Sequence, residues 1–132
     1  MMAYDSTRDR SVLFGGFNHS LQSFGDTWEW NGSEWTQVSH FGATPCGFAS
    51  LAFKGDSVAL FGGSNSIFSP QIYGSTWTWN GRNWTLRQDF GPSPRYGANM
   101  CYDSKRGTLV LFGGAITTST GVADTWEHSE GP

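Results

Sequence analysis

The sequence predicts an all-β protein made of three copies of one four-stranded antiparallel unit. The tetrapeptide Leu-Phe-Gly-Gly occurs at residues 13–16, 60–63 and 111–114, and the dipeptide Thr-Trp recurs at a constant spacing of 49 residues. The segments between these markers are short, alternate in polarity at a period of two, and contain no stretch of ten residues with helical periodicity. Self-similarity at a fixed period of this length is typical of a repeat architecture.

The middle copy displays the elements of one unit most clearly. Strand a is predicted at about 48–53 and strand b at 57–61, with a short turn at 54–56 between them. A longer polar loop leads to strand c at 75–79, in which Trp77 and Trp79 share one face of the strand. The pair Asn80-Gly81 predicts a hairpin, because a type I′ turn needs positive φ at both central positions. Strand d then follows at about 83–87.

The period divides the chain into unit 1 (residues 1–41), unit 2 (42–90) and unit 3 (91–132). Unit 1 is predicted to begin inside strand a and to hold strands a to d, unit 2 is complete, and unit 3 is predicted to lack strand d. Four antiparallel strands in about 50 residues form the blade of a β-propeller, and closed propellers typically have four to eight blades. We therefore expect an arc of a larger closed propeller, as an excerpt of a longer chain or through association of several copies.

The glycine doublets after strand b, the aromatic residues of strands c and d, and the segment Gly-Pro-Ser-Pro-Arg-Tyr-Gly at 91–97 resemble the kelch-repeat propellers, which include the central domain of galactose oxidase. The chain departs from that repeat at three positions, with Cys46 in place of Arg95, Lys54 in place of Asp5 and Asp103, and His128 in place of Trp30 and Trp79. The resemblance implies protein–protein interaction, a bacterial chain and an extracytoplasmic location. The residues themselves leave the compartment unknown.

The recurring tryptophans and glycines are predicted to build the fold. Blades pack face to face, so strands b and c should be covered on both sides, and each Trp buried there contributes at most about 4–6 kcal/mol. Glycine doublets are expected where strand b ends, either for positive φ or for close approach of another backbone. The predicted structural signature consists of Gly15, Gly16, Gly62, Gly63, Gly113, Gly114, Trp28, Trp30, Trp35, Trp77, Trp79, Trp84 and Trp126.

Ligand binding is predicted on the side of the molecule that carries the b–c and d–a loops. The b–c loops at residues 17–25, 64–74 and 115–123 are long and polar, and they differ among the units while the strands repeat. Variable loops on a rigid scaffold often carry binding residues. The candidate contacts are Asn18, His19, Asn65, Phe68, Tyr73 and Arg95.

No catalytic residue, metal site or cofactor is predicted. The net charge of −3 provides no electrostatic reason to expect nucleic acid, and no apolar run reaches the ~20 residues of a membrane helix. Cys46 and Cys101 lack a Cys-x-x-Cys pattern, so both are predicted to be buried structural thiols. The resemblance to galactose oxidase would imply copper and a cross-linked Tyr–Cys pair, but the side chains of Cys101 and Tyr102 diverge as neighbours on a strand.

Three functions are compatible with these residues. The first is a non-catalytic binding module for a protein or carbohydrate ligand on the loop side. The second is the propeller portion of a larger enzyme, with its catalytic residues outside this chain. The third is a self-assembling array whose copies close a ring as an oligomer. The predicted partners are accordingly a protein or glycan, and the remaining blades or other copies of the chain.

Overall fold

The computed structural model describes residues 1–68, 70–88 and 91–129, and every regular element in that part of the chain is a β-strand. There are eleven: β1 (Met2–Asp5), β2 (Arg10–Phe17), β3 (Ser23–Trp30), β4 (Trp35–Ser39), β5 (Ser50–Phe53), β6 (Val58–Phe61), β7 (Thr76–Trp79), β8 (Trp84–Gln88), β9 (Asn99–Asp103), β10 (Thr108–Phe112) and β11 (Thr125–Ser129). The all-β prediction is confirmed.

The strands form three small antiparallel sheets that follow the order of the chain. Sheet 1 contains β1 to β4 and sheet 2 contains β5 to β8, each with sequence neighbours paired as spatial neighbours. Sheet 3 contains β9, β10 and β11, with β10 in the middle. Each sheet is therefore a simple meander, in which alternating hydrophobic positions decide which face is buried.

The four strands predicted for unit 2 lie within two residues of the observed β5 to β8. In unit 1 the prediction is wrong at one point, because strand b does not end at its glycine doublet. The register between β2 and β3 shifts between Phe14 and Gly16, and pairing then resumes through Phe17. Such a β-bulge absorbs an extra residue and lets the strand continue, so the loop shortens to residues 18–22.

The sheets stack face to face in chain order. We call the face of each sheet that is turned toward the next sheet in the chain its forward face, and the opposite face its rear face. Val12 and Phe14 on the forward face of sheet 1 are completely buried against the rear face of sheet 2. That rear face contributes Val58, Leu60 and Trp79 to the same core.

The forward face of sheet 2 also packs against sheet 3, but less completely, because a cavity of about 390 Å³ lies between the two sheets beside Phe61 and Trp126. Ala52 and Ala59 form a second, smaller core with Leu109. Strand β6 is consequently buried at all four of its positions, with Val58 and Leu60 turned backward and Ala59 turned forward. The prediction that strands b and c are covered on both sides is confirmed in sheet 2 for strand b, whereas Thr76 and Trp77 of strand c are only half-buried.

The prediction that the tryptophans are core residues holds only in part. Trp79 and Trp84 are buried, but Trp35 remains 44% exposed and Trp126 40% exposed. Trp35 occupies the repeat position of Trp84 on the rear face of sheet 1, where no sheet lies opposite. Trp126 lies on β11, which has no strand on its outer side among the described residues. The other three, Trp28, Trp30 and Trp77, are half-buried.

The glycine doublets join one unit to the next. Gly16 donates its N–H to the carbonyl of Cys46 at 2.8 Å, and Gly63 donates to the carbonyl of Arg95 at 2.9 Å. Cys46 and Arg95 occupy the same repeat position. A Cβ on the first glycine of either doublet would stand 2.4 Å from that carbonyl oxygen, and both glycines have positive φ. Close backbone approach and positive φ therefore act together, as predicted.

Replacing Gly62 by alanine should destabilise the protein more than replacing Gly113. Both glycines have φ near +70°, so both substitutions incur a conformational cost of about 1 kcal/mol. Only the Cβ at Gly62 would meet a carbonyl at 2.4 Å, whereas the nearest atom at Gly113 lies 3.3 Å away. We expect Gly62→Ala to lower the free energy of unfolding by roughly 1–3 kcal/mol more, as overpacking typically does. Equal losses in urea denaturation would contradict this account of the doublet.

Candidate functional site

We call the side of the molecule that carries the loops at 18–22, 62–75 and 113–124 and the connections at 40–49 and 91–98 the loop face. Isolated backbone bridges join these segments within units 2 and 3. Gly47 pairs with Ser64, and Tyr96 pairs with Ala115. The connection at 40–49 is thereby held to the loop of unit 2, and the connection at 91–98 to the loop of unit 3. Backbone hydrogen bonds therefore hold the loop face in a defined conformation.

Two of the predicted contacts shape their own loops. The Asn18 carboxamide accepts the Gln22 N–H at 2.9 Å and donates to the Gln22 side chain. Asn65 accepts the Gln71 N–H at 2.8 Å through its side-chain oxygen. Asparagine side chains commonly close turns in this way. Both side chains stabilise the conformation of their loops, through the whole carboxamide of Asn18 and through the side-chain oxygen of Asn65.

The other predicted contacts differ in how far ligands can reach them. His19 is exposed, and Phe68 is 77% exposed. Tyr73 is half-buried and packs against the core between sheets 1 and 2. Burial raises the pKa of the Tyr73 hydroxyl above its usual value. The structure therefore presents His19 and Phe68 to solvent, and it does not bring the six candidates together in one cluster.

Arg95 requires a correction, because its side chain is only 1% exposed. Its guanidinium donates to the Gly113 carbonyl at 3.0 Å, to Ser93 and to both carboxylate oxygens of Asp124, the shorter contact being 2.6 Å. Arg95 therefore links the connection between sheets 2 and 3 to sheet 3 by hydrogen bonds. Its guanidinium N–H groups are not available to a ligand. The guanidinium holds the pKa of Asp124 well below its usual range.

The same repeat position shows what replaces this ion pair in unit 2. There Cys46 stands in place of Arg95, and Ser75 stands in place of Asp124. Both charged members of the pair are thus absent together. Cys46 is buried, and desolvation raises the pKa of its thiol to about 12, in agreement with the predicted structural role. Cys101 is exposed, contrary to prediction, because it lies on the forward face of sheet 3 with no sheet in front of it.

A row of three aromatic rings crosses the loop face and was not predicted as a site. The rings of Phe17 and Phe48 lie with centroids 5.5 Å apart, and those of Phe48 and Tyr96 lie 6.2 Å apart. We call these three residues the aromatic row. Phe48 is 48% exposed, so one side of the row faces solvent. Tilted aromatic pairs at such distances are favourable beyond their buried area.

Phe48 has an unusual backbone conformation. Its φ is +55°, a value that bulky residues rarely adopt, and the equivalent position in unit 3 is Gly97 with φ +68°. A non-glycine residue in this region costs about 1–2 kcal/mol. The sequence carried a signal for this feature, since Phe48 breaks a position at which unit 3 has glycine.

An open groove adjoins the aromatic row between the loops of units 2 and 3, and polar atoms form the larger part of its lining. We call it the loop groove; its volume is about 390 Å³, and it is lined by Phe68, Pro70, Ile72, Ile116, Thr117 and Thr118. The Tyr96 hydroxyl donates to the carbonyl of Thr117 at 3.3 Å, so row and groove are contiguous. None of the residues that line the groove is charged. The groove therefore favours an uncharged ligand over a charged one.

Two further observations concern cofactors and membranes. Among the described residues, no cluster of three or more His, Cys, Asp or Glu side chains has the geometry to hold a metal ion. Within the same ranges, no helix has the length and apolar character needed to cross a membrane.

Comparison with known proteins identifies the fold and nothing more specific. No family model matches the chain, and no curated protein matches it. Among solved structures, that of YjhT is similar with a TM-score of 0.73 over 94% of this chain, at 14% sequence identity. The chain spans 40% of the length of YjhT. The likeness therefore supports the arrangement of the sheets and carries no information about activity.

We expect the Arg95–Asp124 pair to behave as a coupled unit. Asp124→Ser should destabilise the protein strongly while Arg95 is present, because it leaves a buried guanidinium without its carboxylate. Arg95→Cys combined with Asp124→Ser reproduces the Cys46 and Ser75 combination of unit 2 and should recover part of that loss. Folding lowers the pKa of Asp124, so the coupling is fully present near neutral pH, begins to weaken as the pH falls below about 4, and is lost only as the pH passes through the lowered pKa of the folded state. Additive changes in urea denaturation at pH 7 would exclude the coupling.

Proposed function

We propose that the chain is a non-catalytic binding module, an arc of a kelch-type β-propeller that holds a protein or glycan ligand on its loop face. Three observations support the architecture: the 49-residue repeat, the stacking of three antiparallel meanders, and the similarity in fold to a longer solved structure. Among the described residues, sheets 1 and 3 each have one uncovered face with exposed aromatic side chains, which a closed propeller would cover with further blades.

The observation that carries the binding role is the conformation of Phe48. Glycine would satisfy the backbone at this position without strain, as Gly97 does in unit 3. The chain instead keeps a large ring there, half-exposed and flanked by two other rings. Strained residues that persist in a fold are concentrated at binding and active sites. A side chain that stability alone would not select is best explained by contact with a ligand.

The chemistry of the surface defines the kind of ligand. The aromatic row offers ring faces, and the loop groove adds an uncharged lining that includes Phe68, Ile72 and two threonines. Rings of this kind stack on flat apolar groups such as proline or the C–H face of a sugar. The ligand is accordingly an uncharged segment of a protein or a neutral glycan. Kelch resemblance favours the protein.

Substitutions at Phe48 separate binding from stability. Phe48→Gly removes the backbone strain and the ring contacts together, so we expect the free energy of unfolding to stay within about 1 kcal/mol of the wild type. Phe48→Ala keeps the strain and loses the ring, so it should be less stable than Phe48→Gly by about 1 kcal/mol. Chemical denaturation of the three proteins measures both differences.

Binding is tested with the same variants on a peptide-display library and a neutral-glycan array. Phe48→Gly should lose at least tenfold in affinity for whichever probe binds the wild type, although it stays folded. Phe41→Ala is the matched control, because Phe41 is an exposed aromatic outside the row and the groove. Unchanged binding by Phe48→Gly, or an equal loss in the control, would rule out the aromatic row as the contact surface.

A further inference from the structure

The stack of sheets ends in two uncovered faces of different chemistry. On the forward face of sheet 3, Phe112, Thr125 and Glu127 are exposed. On the rear face of sheet 1, Trp35 is exposed and Trp30 is half-buried, with their rings 5.6 Å apart. The indole N–H groups of both tryptophans have no hydrogen-bond partner among the described residues.

The interface between sheets 1 and 2 shows how such faces meet. Trp79 on the rear face of sheet 2 donates its indole N–H to Glu29 on the forward face of sheet 1 at 2.9 Å. Trp84 donates to the hydroxyl of Thr27 at 2.8 Å. The ring of Phe14 meets the ring of Trp84 edge to face at 5.0 Å. All of these groups are buried, so the interface satisfies its polar atoms internally.

The two uncovered faces carry the same groups at the same repeat positions. Trp30 and Trp35 lie 49 residues before Trp79 and Trp84. On the other face, Phe112, Thr125 and Glu127 lie 98 residues after Phe14, Thr27 and Glu29. The donors are thus present on the rear face of sheet 1, and the acceptors are present on the forward face of sheet 3.

The residues that contact the carboxylate of Glu29 in unit 1 have counterparts around Glu127 in unit 3. Arg8 contacts Glu29 and Asp5, each at 2.7 Å. In unit 3, Arg106 contacts Glu127 at 2.8 Å and Asp103 at 2.7 Å. The sequence holds the signal for this cluster in Asp-Ser-x-Arg at 5–8 and 103–106.

Burial is the difference between the two clusters. The side chain of Glu29 is 8% exposed beneath sheet 2, whereas that of Glu127 is 49% exposed. Glu127 is therefore oriented as Glu29 is, but no indole covers it. Arg106 also holds the pKa of Glu127 below its usual value, so the acceptor is charged at neutral pH.

The interface between sheets 2 and 3 supplies an independent argument. There the forward face carries Thr78 instead of glutamate, and the rear face carries His128 instead of tryptophan. Thr78 accepts a hydrogen bond from Arg87 of its own sheet. At these two repeat positions, tryptophan and glutamate are thus both present at the interface between sheets 1 and 2 and both absent at the interface between sheets 2 and 3. The two ends of the stack carry tryptophan on the rear face of sheet 1 and glutamate on the forward face of sheet 3. The two end faces are therefore complementary to each other.

We propose that the forward face of sheet 3 in one copy docks on the rear face of sheet 1 in a second copy, with Trp30 donating to Glu127 and Trp35 donating to Thr125. The pairing is head to tail, so two copies bring six sheets together, a number within the range of closed propellers. Both copies then cover the rings that the single chain leaves exposed. This association is independent of the ligand proposed for the loop face.

Light scattering of the purified 132-residue chain tests the association directly. We expect the wild type to be a dimer at micromolar concentration and Trp35→Ser to weaken the dimer about thirtyfold, the effect of removing a central tryptophan anchor. Trp35 is partly exposed in the single chain, so the variant should remain folded by circular dichroism. Phe41→Ser, which alters an exposed ring away from both faces, should leave the dimer unchanged. A folded monomeric wild type would overturn the proposal.

Cross-linking identifies the faces in contact. Cys101 is at the repeat position of Ala52, which packs with Leu109, and Ser11 is at the position of Leu109 in unit 1. Ser11→Cys should therefore form a covalent dimer through Cys101 of the second copy when treated with a short bismaleimide. Cys46 does not react because it is buried.

The control for this experiment is Glu34→Cys, which adds an exposed thiol in the turn after β3. Covalent dimers from Glu34→Cys or from the wild type, at the level of Ser11→Cys, would contradict the head-to-tail arrangement. A ladder of larger products from Ser11→Cys would support the pairing of faces but overturn closure by two copies, since unclosed head-to-tail contacts build open chains.

Discussion

Each sheet in this protein carries apolar side chains on a face that the sheet cannot cover by itself. Val58 and Leu60 need a partner behind sheet 2, and Ala59 needs one in front of it. A meander of about 20 paired residues has no other means of removing these side chains from water. Stacking is therefore the condition for folding, and each unit depends on contact with a neighbouring unit. The half-exposed tryptophans at the end of the stack follow directly from this requirement.

Backbone contacts at the junctions between units fix how each sheet stacks on the next. The carbonyl of Cys46 or Arg95 occupies the space that a side chain would need at the first glycine of the preceding doublet. The second glycine donates its N–H to the same carbonyl. Because this contact involves only backbone atoms, it can be kept while the side chain at the junction changes from a thiol to a guanidinium. The repeat thus holds its spacing and leaves the neighbouring side chains free to diverge.

The sequence was sufficient for the parts of the structure that repeat, and it failed where a residue depends on its place in the stack. The period located the strands of unit 2 within two residues, since alternation and turn chemistry act locally. The burial of Trp35 and Cys101 was mispredicted because equivalent residues meet different neighbours at the end of the stack. Arg95 was taken for a surface contact because its partner, Asp124, is distant in sequence. The strain at Phe48 was not predicted, although Gly97 at the equivalent position of unit 3 is a signal for positive φ there.

The differences between units are as informative as the repetition. Where Cys46 replaces Arg95, Ser75 replaces Asp124; where His128 replaces tryptophan, Thr78 replaces glutamate. Each change removes both members of a contact, because a buried charge or indole N–H left alone costs more than the intact pair contributes. In these two cases, the units therefore differ by the replacement of both residues of a contact and not by the replacement of one residue alone. An uncovered face that keeps one half of a contact implies that the other half exists on the surface that covers it.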